Sequence, residues 1–163
     1  MNVNNLDGFR VGGISDGVTG QKKTGLFYNG FSLVMSDLDD EYKEHEKFWE
    51  NATGDVLITG LGLGFSHPNL INNPNITSVT VIEKYQEVID LVWDHCIKDN
   101  RFNLIHADAN TWKIEGHWDC IWIDHWVYNI SEDTEEDFIK SMTEKYSPHC
   151  NWLGFWLQER VEK

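Results

Sequence analysis

The chain is 163 residues long, 40% apolar and 13% aromatic, and its 27 acidic against 13 basic side chains leave a net charge of −14. Such a length suits one domain, residues 1–163, whose core needs neither disulfides nor a structural metal. The acidic balance argues against a nucleic-acid partner, because affinity for a phosphate backbone comes from Lys and Arg displacing counterions, and it favours a neutral or cationic small molecule.

Residues 1–8 carry no pattern and are expected to be poorly ordered. From residue 9 to 35 the pattern is β: Phe9-Arg10-Val11, a polar glycine-rich loop, Gly25-Leu26-Phe27-Tyr28, and Phe31 to Met35. Asn29-Gly30 between the last two runs is a hairpin signal, since a type I′ turn needs positive φ at both central residues. A small antiparallel meander is therefore expected over 9–35, ahead of a core over 36–163. Ser36-Asp37-Leu38-Asp39-Asp40-Glu41 supplies caps and N-terminal acids for a helix from Asp39 to Asn51, with Tyr42, His45, Phe48 and Trp49 on one side.

Asp55-Val56-Leu57-Ile58-Thr59 reads as a strand buried on both faces, and it runs into Gly60-Leu61-Gly62-Leu63-Gly64. Such a turn is expected to leave backbone N–H groups free for a ligand, with no Cβ in the way. A short helix follows from Ser66 to Ile71, with Pro68 in its first turn. Val79-Thr80-Val81-Ile82-Glu83 is a second strand, ending in an acid 19 residues past Gly64. Tyr85 to Ile97 places Val88, Ile89, Val92 and Trp93 at helical spacing. Third and fourth strands, Phe102 to Ala109 and Trp118 to Asp124, also end in acids, Asp108 and Asp124. Ser131 to Glu136 caps a helix running to about Lys145, and Asn151 to Leu157 is a fifth strand.

This alternation predicts an α/β fold with a right-handed parallel sheet in the order 3-2-1-4-5. Ligands of open sheets sit beyond the carboxyl ends of the strands, so the glycine turn, Glu83, Asp108 and Asp124 are expected on one rim. The G-x-G-x-x-G spacing of dinucleotide sites fails, because Phe65 stands where the third glycine belongs.

Together these motifs resemble the class I S-adenosylmethionine (SAM) dependent methyltransferase superfamily, and within it the spermidine-synthase-like branch, over roughly Gly25 to Leu157. The resemblance implies a Rossmann-like SAM-binding sheet with SAM as cofactor. It implies Gly60, Leu61, Gly62 and Gly64 at the amino-acid part, Glu83 at the ribose with Lys84 in the same site, and Asp108 and Ala109 at the adenine edge. Asp124 would lie beside the sulfonium and the acceptor. Three departures accompany it. Ile58 stands two residues before the first glycine, where many methyltransferases carry an acid; His125-Trp126-Val127-Tyr128 stands where polyamine synthases carry a second aspartate; and the closing β-hairpin of the superfamily is absent.

The expected function is a SAM-dependent methyltransferase acting on a small or cationic acceptor, with Asp124 or His125 taking the acceptor's proton. The alternatives are a polyamine (spermidine-like) synthase transferring an aminopropyl group, and a non-catalytic SAM-binding or scaffold protein. Trp122, Trp126 and Tyr128 are candidates for an aromatic wall around a cation, Trp122 being more readily a core residue. Cys96, Cys120 and Cys150 are odd in number and lack C-x-x-C spacing, which suits reduced thiols in the cytoplasm. The seven histidines lack zinc spacing and no metal is expected; no apolar run approaches the roughly 20 residues of a membrane span. Trp152 to Leu157 forms an apolar edge strand that no later strand covers, which predicts a homo-oligomer or a meander folded over that edge.

Overall fold

The computed structural model describes residues 8–15, 17, 19–29, 32–127 and 131–156. The expected disorder of residues 1–7, and the roles expected of Gly30, Phe31, Tyr128 and Leu157, lie outside them. The meander comprises β1 (Phe9–Ser15), β2 (Lys22–Tyr28) and β3 (Ser32–Ser36), antiparallel in the order β1-β2-β3. Asn29 takes the positive φ, 47°, that the hairpin turn demands, and its side chain accepts from the Gly8 N–H at 3.2 Å.

The core begins with α1 (Asp39–Asn51), whose first turn carries Asp39, Asp40 and Glu41 against the positive end of the helix dipole. Five parallel strands follow: β4 (Gly54–Thr59), β5 (Ile76–Glu83), β6 (Phe102–His106), β7 (Trp118–Ile123) and β8 (Cys150–Phe155), in the order β6-β5-β4-β7-β8. That is the 3-2-1-4-5 order expected. The remaining helices are α2 (His67–Ile71), α3 (Gln86–Val92) and α4 (Glu135–Tyr146). Thr134 caps α4, its hydroxyl accepting from the Asp137 N–H at 3.2 Å.

Alternate residues of the central strands face opposite sides, and both sides are buried. Val56 and Ile58 join Val79, Val81 and Trp122 under Phe48 of α1, Leu70 of α2, and Val88 and Val92 of α3. Leu57 joins Ile121 and Ile123 under Phe138, Met142 and Tyr146 of α4. The Phe48 ring lies parallel to the Trp122 indole, with centroids 5.0 Å apart, and the Trp152 indole lies parallel to Trp122 as well, at 6.4 Å.

Two expectations need correction. The helix expected from Tyr85 to Ile97 is only seven residues of α-helix followed by a 3-10 turn, Trp93–His95. Side chains take the carbonyls that a longer helix would use: Lys98 donates to Trp93 O at 2.7 Å, and His67 donates from Nδ1 to Ile97 O at 3.0 Å. The meander does not cap the β8 edge either. It docks on α3, where Phe9 packs on Tyr85 and donates its N–H to the Glu87 carboxylate at 3.1 Å. β8 is instead held by α1, through a Trp156 indole N–H donating to Glu44 at 2.8 Å just past the strand.

Phe48 is wholly buried in this stack. Phe48→Ala should lower the stability read by urea denaturation by about 3–5 kcal/mol, with loss of near-ultraviolet tryptophan dichroism.

Candidate functional site

In the sheet register Thr59 stands level with Ile82 of β5 and Ile123 of β7, so the chain leaves three central strands at one height. Beyond that height opens a cleft of about 490 Å³. The strand ends form its floor with Gly60, Gly62, Glu83, Lys84, Asp108, Ala109, Asp124 and His125. The meander supplies one wall through Phe9, Tyr28 and Met35, and α1 contributes Glu41.

Gly60, at φ 95°, is where β4 meets the segment after β7: a Cβ there would collide with the Asp124 carbonyl oxygen. The approach is held by the Asp124 N–H donating to Thr59 O at 3.0 Å and the Gly60 N–H donating to Ile82 O at 2.7 Å. Gly62, at φ 52°, has the Met35 thioether in the space of its missing Cβ.

Most N–H groups of the turn are not free, contrary to expectation; that of Gly62 alone has no hydrogen-bond partner among the described residues. Leu61 N–H donates to Glu83 Oε2 at 2.8 Å, Leu63 N–H to Met35 Sδ at 3.3 Å, and Gly64 N–H to Leu61 O at 2.9 Å. Leu61 and Gly64 do not line the cleft. Leu61 is buried, and Gly64 serves packing, its missing Cβ giving room to Cys96 Sγ. Of these donors the one to sulfur is the weakest, because a thioether is a poor acceptor.

Glu83 is 6% exposed and accepts from the Tyr85 N–H through its other oxygen at 2.9 Å. Burial raises its pKa above the usual carboxylate value, although both N–H groups favour the ionised form. Lys84 pairs with Asp108 at 3.1 Å. That bond raises the lysine; for Asp108, burial pulls upward, but the Asn110 N–H and Lys84 outweigh it and its pKa falls.

At the β7 end, His45 of α1 lies 1% exposed against Asp124. Its Nδ1 donates to Glu41 O at 2.8 Å and its Nε2 faces Asp124 Oδ2 at 3.2 Å, so both nitrogens meet acceptors. Burial opposes charge, yet Asp124 prevails and the His45 pKa is raised, as fits an imidazolium. Glu41 is pushed up to about 7 by burial first, then by Asp124 and Glu44. His125 is the opposite case. Asn110 Oδ1 can only accept, so His125 Nε2 carries the proton (3.1 Å) and Nδ1 accepts from the Thr59 hydroxyl at 2.6 Å. Burial lowers its pKa to about 4. No lone pair is left for an acceptor's proton, so the geometry opposes His125 as a base.

No family model matches the sequence, and no curated protein matches it. Solved structures do. The spermidine synthase of Thermotoga maritima superposes with a TM-score of 0.57 at 18% identity, over 85% of this chain and 50% of that one. The N-methyltransferase NodS of Bradyrhizobium japonicum WM9 gives 0.53 at 13% identity, over 73% and 69%. DhpI in complex with SAM and HEP gives 0.52 at 20%, over 76% and 60%. The fold is that of the class I SAM-dependent methyltransferases. The chain spans only half to about two thirds of the length of these methyltransferase-fold structures.

The fold thus brings Gly60, Gly62, Glu83, Lys84, Asp108, Ala109, Asp124 and His125 to one cleft and sets Leu61 and Gly64 on a small adjoining pocket that shares Met35, Gly60 and Asp124 with it. Trp126 lines the cleft, whereas Trp122 is core. Glu41 and His45 were missed as site residues; the signal available was their i, i+4 spacing, which puts them on one face of α1. Among the described residues no group of three or more His, Cys, Asp or Glu is placed to hold a metal.

Gly60→Ala sets a Cβ against backbone that cannot move and should cost about 3 kcal/mol, whereas Gly62→Ala meets only the Met35 side chain and should cost about 1 kcal/mol. Thermal unfolding of both variants checks the order. Glu41, with its raised folded pKa, contributes stability present below its unfolded value near 4.5 and lost as pH rises through about 7. Glu41→Gln should therefore be more stable than the parent by about 2 kcal/mol at pH 8 and indistinguishable at pH 4, by urea denaturation.

Proposed function

We propose that the chain is a SAM-dependent transferase, a methyltransferase acting on a small, cationic acceptor. The observation that carries this reading is the meeting of Gly60, Gly62, Glu83, Asp108 and Asp124 on one cleft at the carboxyl ends of β4 to β7. Its volume falls in the range of small-molecule sites, roughly 300–1,000 Å³. Glu41, Glu83, Asp108, Asp124, Glu132 and Asp133 line it against one ammonium, that of Lys84. Such a lining suits a ligand with sulfonium and ammonium charges. The neighbours lend support: DhpI is seen with SAM and with SAH.

On this reading the second oxygen lone pairs of Glu83 receive the ribose hydroxyls, Asp108 and Ala109 face the adenine edge with Lys84 orienting Asp108, and Gly60 to Gly62 lie under the amino-acid part. Bound SAM would supply an electrophilic methyl on a sulfonium. Asp124, oriented by His45, stabilises cationic charge at the reacting end. His125 acts as a positioning residue that ties Thr59 to Asn110. Met35 leaves Leu63 N–H when a better acceptor arrives, since a carboxylate outcompetes a thioether.

A second reading, aminopropyl transfer, is favoured by the larger share of this chain that the spermidine synthase overlay covers, 85% against 73% for NodS and 76% for DhpI. A fold that binds SAM without turnover is the third. β8, paired among the described residues only with β7, supports a homo-oligomer joined along that edge, and the three free thiols support a cytoplasmic setting.

Calorimetry should find micromolar binding of SAM and none of NAD. Glu83→Ala and Asp124→Asn should each weaken SAM roughly tenfold or more, as loss of a charge-assisted contact does. Competition with decarboxylated SAM separates the first two readings: preference for the decarboxylated form would favour aminopropyl transfer. Absence of any SAM binding would remove all three.

A further inference from the structure

Glu41 stands in the first turn of α1, on β-meander Ser36's backbone N–H, and lines the cleft with Asp124. Its Oε2 is shut off from water and has no hydrogen-bond partner among the described residues. A carboxylate oxygen left this way is costly, so a donor that meets it is favoured strongly once the Glu41 side chain turns Oε2 toward the cleft that this residue lines. Asp124 does not share that need, because the His45 Nε2–H already faces its Oδ2 at 3.2 Å. His125 cannot serve instead, both its nitrogens being engaged by Thr59 and Asn110. The charges bearing on Glu41 are Asp124 from the segment after β7, and Glu44 and His45 from its own helix. Two of the three repel an anion. A cation entering between Glu41 and Asp124 relieves that repulsion and gives Oε2 its missing donor.

We infer that Glu41 is the residue that selects and deprotonates the acceptor: Oε2 binds the ammonium group of an amine and then takes its proton. This deepens the methyltransferase reading of the cleft and rests on it. The step balances. An ammonium nitrogen has no lone pair; one N–H proton passes to Glu41 Oε2, giving a carboxylic acid, and the bonding pair stays on nitrogen. That pair forms the N–C bond to the methyl carbon as the C–S bond breaks, its electrons going to sulfur. The product is an alkylated ammonium, a neutral thioether and a protonated Glu41 that returns its proton to solvent. A carboxyl poised near 7 suits a base working at neutral pH, and its position relative to Asp124 keeps it there.

The test titrates benzylamine into the protein by calorimetry at pH 7, with and without SAH, using benzyl alcohol as the uncharged control. Omitting SAH keeps amine recognition separate from cofactor binding, which the SAM titration reads independently. The wild type should bind the amine and not the alcohol. Because Glu41 is about half protonated at pH 7 and the ammonium demands a carboxylate, binding should release about half a proton, read from two buffers of different ionisation heat. Glu41→Gln should weaken the amine at least tenfold and abolish the release; Glu41→Asp, which keeps the acid on a shorter stem, should retain part of both. Equal affinity in the parent and Glu41→Gln, unchanged proton release, or no preference for amine over alcohol would each overturn the assignment. A failure of SAM to bind while the amine behaves as stated would overturn the cofactor reading and leave Glu41's recognition of amines standing.

Discussion

The contact on which the site depends is backbone against backbone, where Gly60 meets Asp124. The chain leaving β4 and the chain leaving β7 come so close that no side chain fits between the Gly60 Cα and the Asp124 carbonyl. The Asp124 N–H bonded to Thr59 O completes the lock. Parallel pairing of β4 with β7 sets the height at which this happens, and the positive φ of Gly60 turns the chain away at once. The side chain of Asp124 is thereby presented to the cleft and to His45 together, without a flexible loop between sheet and carboxylate. Rigid strand ends of this kind hold chemistry more precisely than a long loop would.

Charge is the second constraint. Carboxylates crowd the cleft, and the protein offsets part of that crowding with three devices: the His45 imidazolium against Asp124, the Lys84 ammonium against Asp108, and backbone N–H groups against Glu83. Glu41 is left out of these pairings and holds its proton to about pH 7 instead. The contrast among Glu41, Glu83 and Asp108 within one cleft follows from their surroundings rather than their type, as burial and like charge push a carboxyl up while donors pull it down.

The turn after β4 carries a further economy. Its Leu61 and Leu63 N–H groups face partners inside the molecule, Glu83 and Met35, so much of the loop is tied down before any ligand comes. Glu83 braces the turn and lines the cleft with the same carboxyl group. Met35 belongs to the meander, and its contact couples that small sheet to the glycine turn as well as to α3 through Phe9. The meander is thus a wall of the site rather than a cover for the β8 edge.

Much of this was legible beforehand for local reasons. Apolar runs of strand length ending in Thr59-Gly60, Glu83 and Asp124 declare both the parallel sheet and its acidic rim, because the middle of a strand buried on both faces carries no charged side chain until it emerges. The Asp39–Asn51 helix was legible from its acidic start and 3.6-residue spacing. The end of α3 was not: beyond it Lys98 folds back locally on Trp93 O, and His67, 30 residues before Ile97, takes the Ile97 carbonyl, a partner that only tertiary folding brings. Nor was the occupation of the glycine turn by Met35, 28 residues earlier, or the pairing of His45 with Asp124, 79 residues later. By itself the sequence determined which segments are strands, their alternation with helices, and the acids at their ends, all of which are written in neighbouring residues. Only the tertiary structure decided which donors remain for a ligand and which carboxylate goes unpaired, because a hydrogen bond between distant residues leaves no periodicity in the chain.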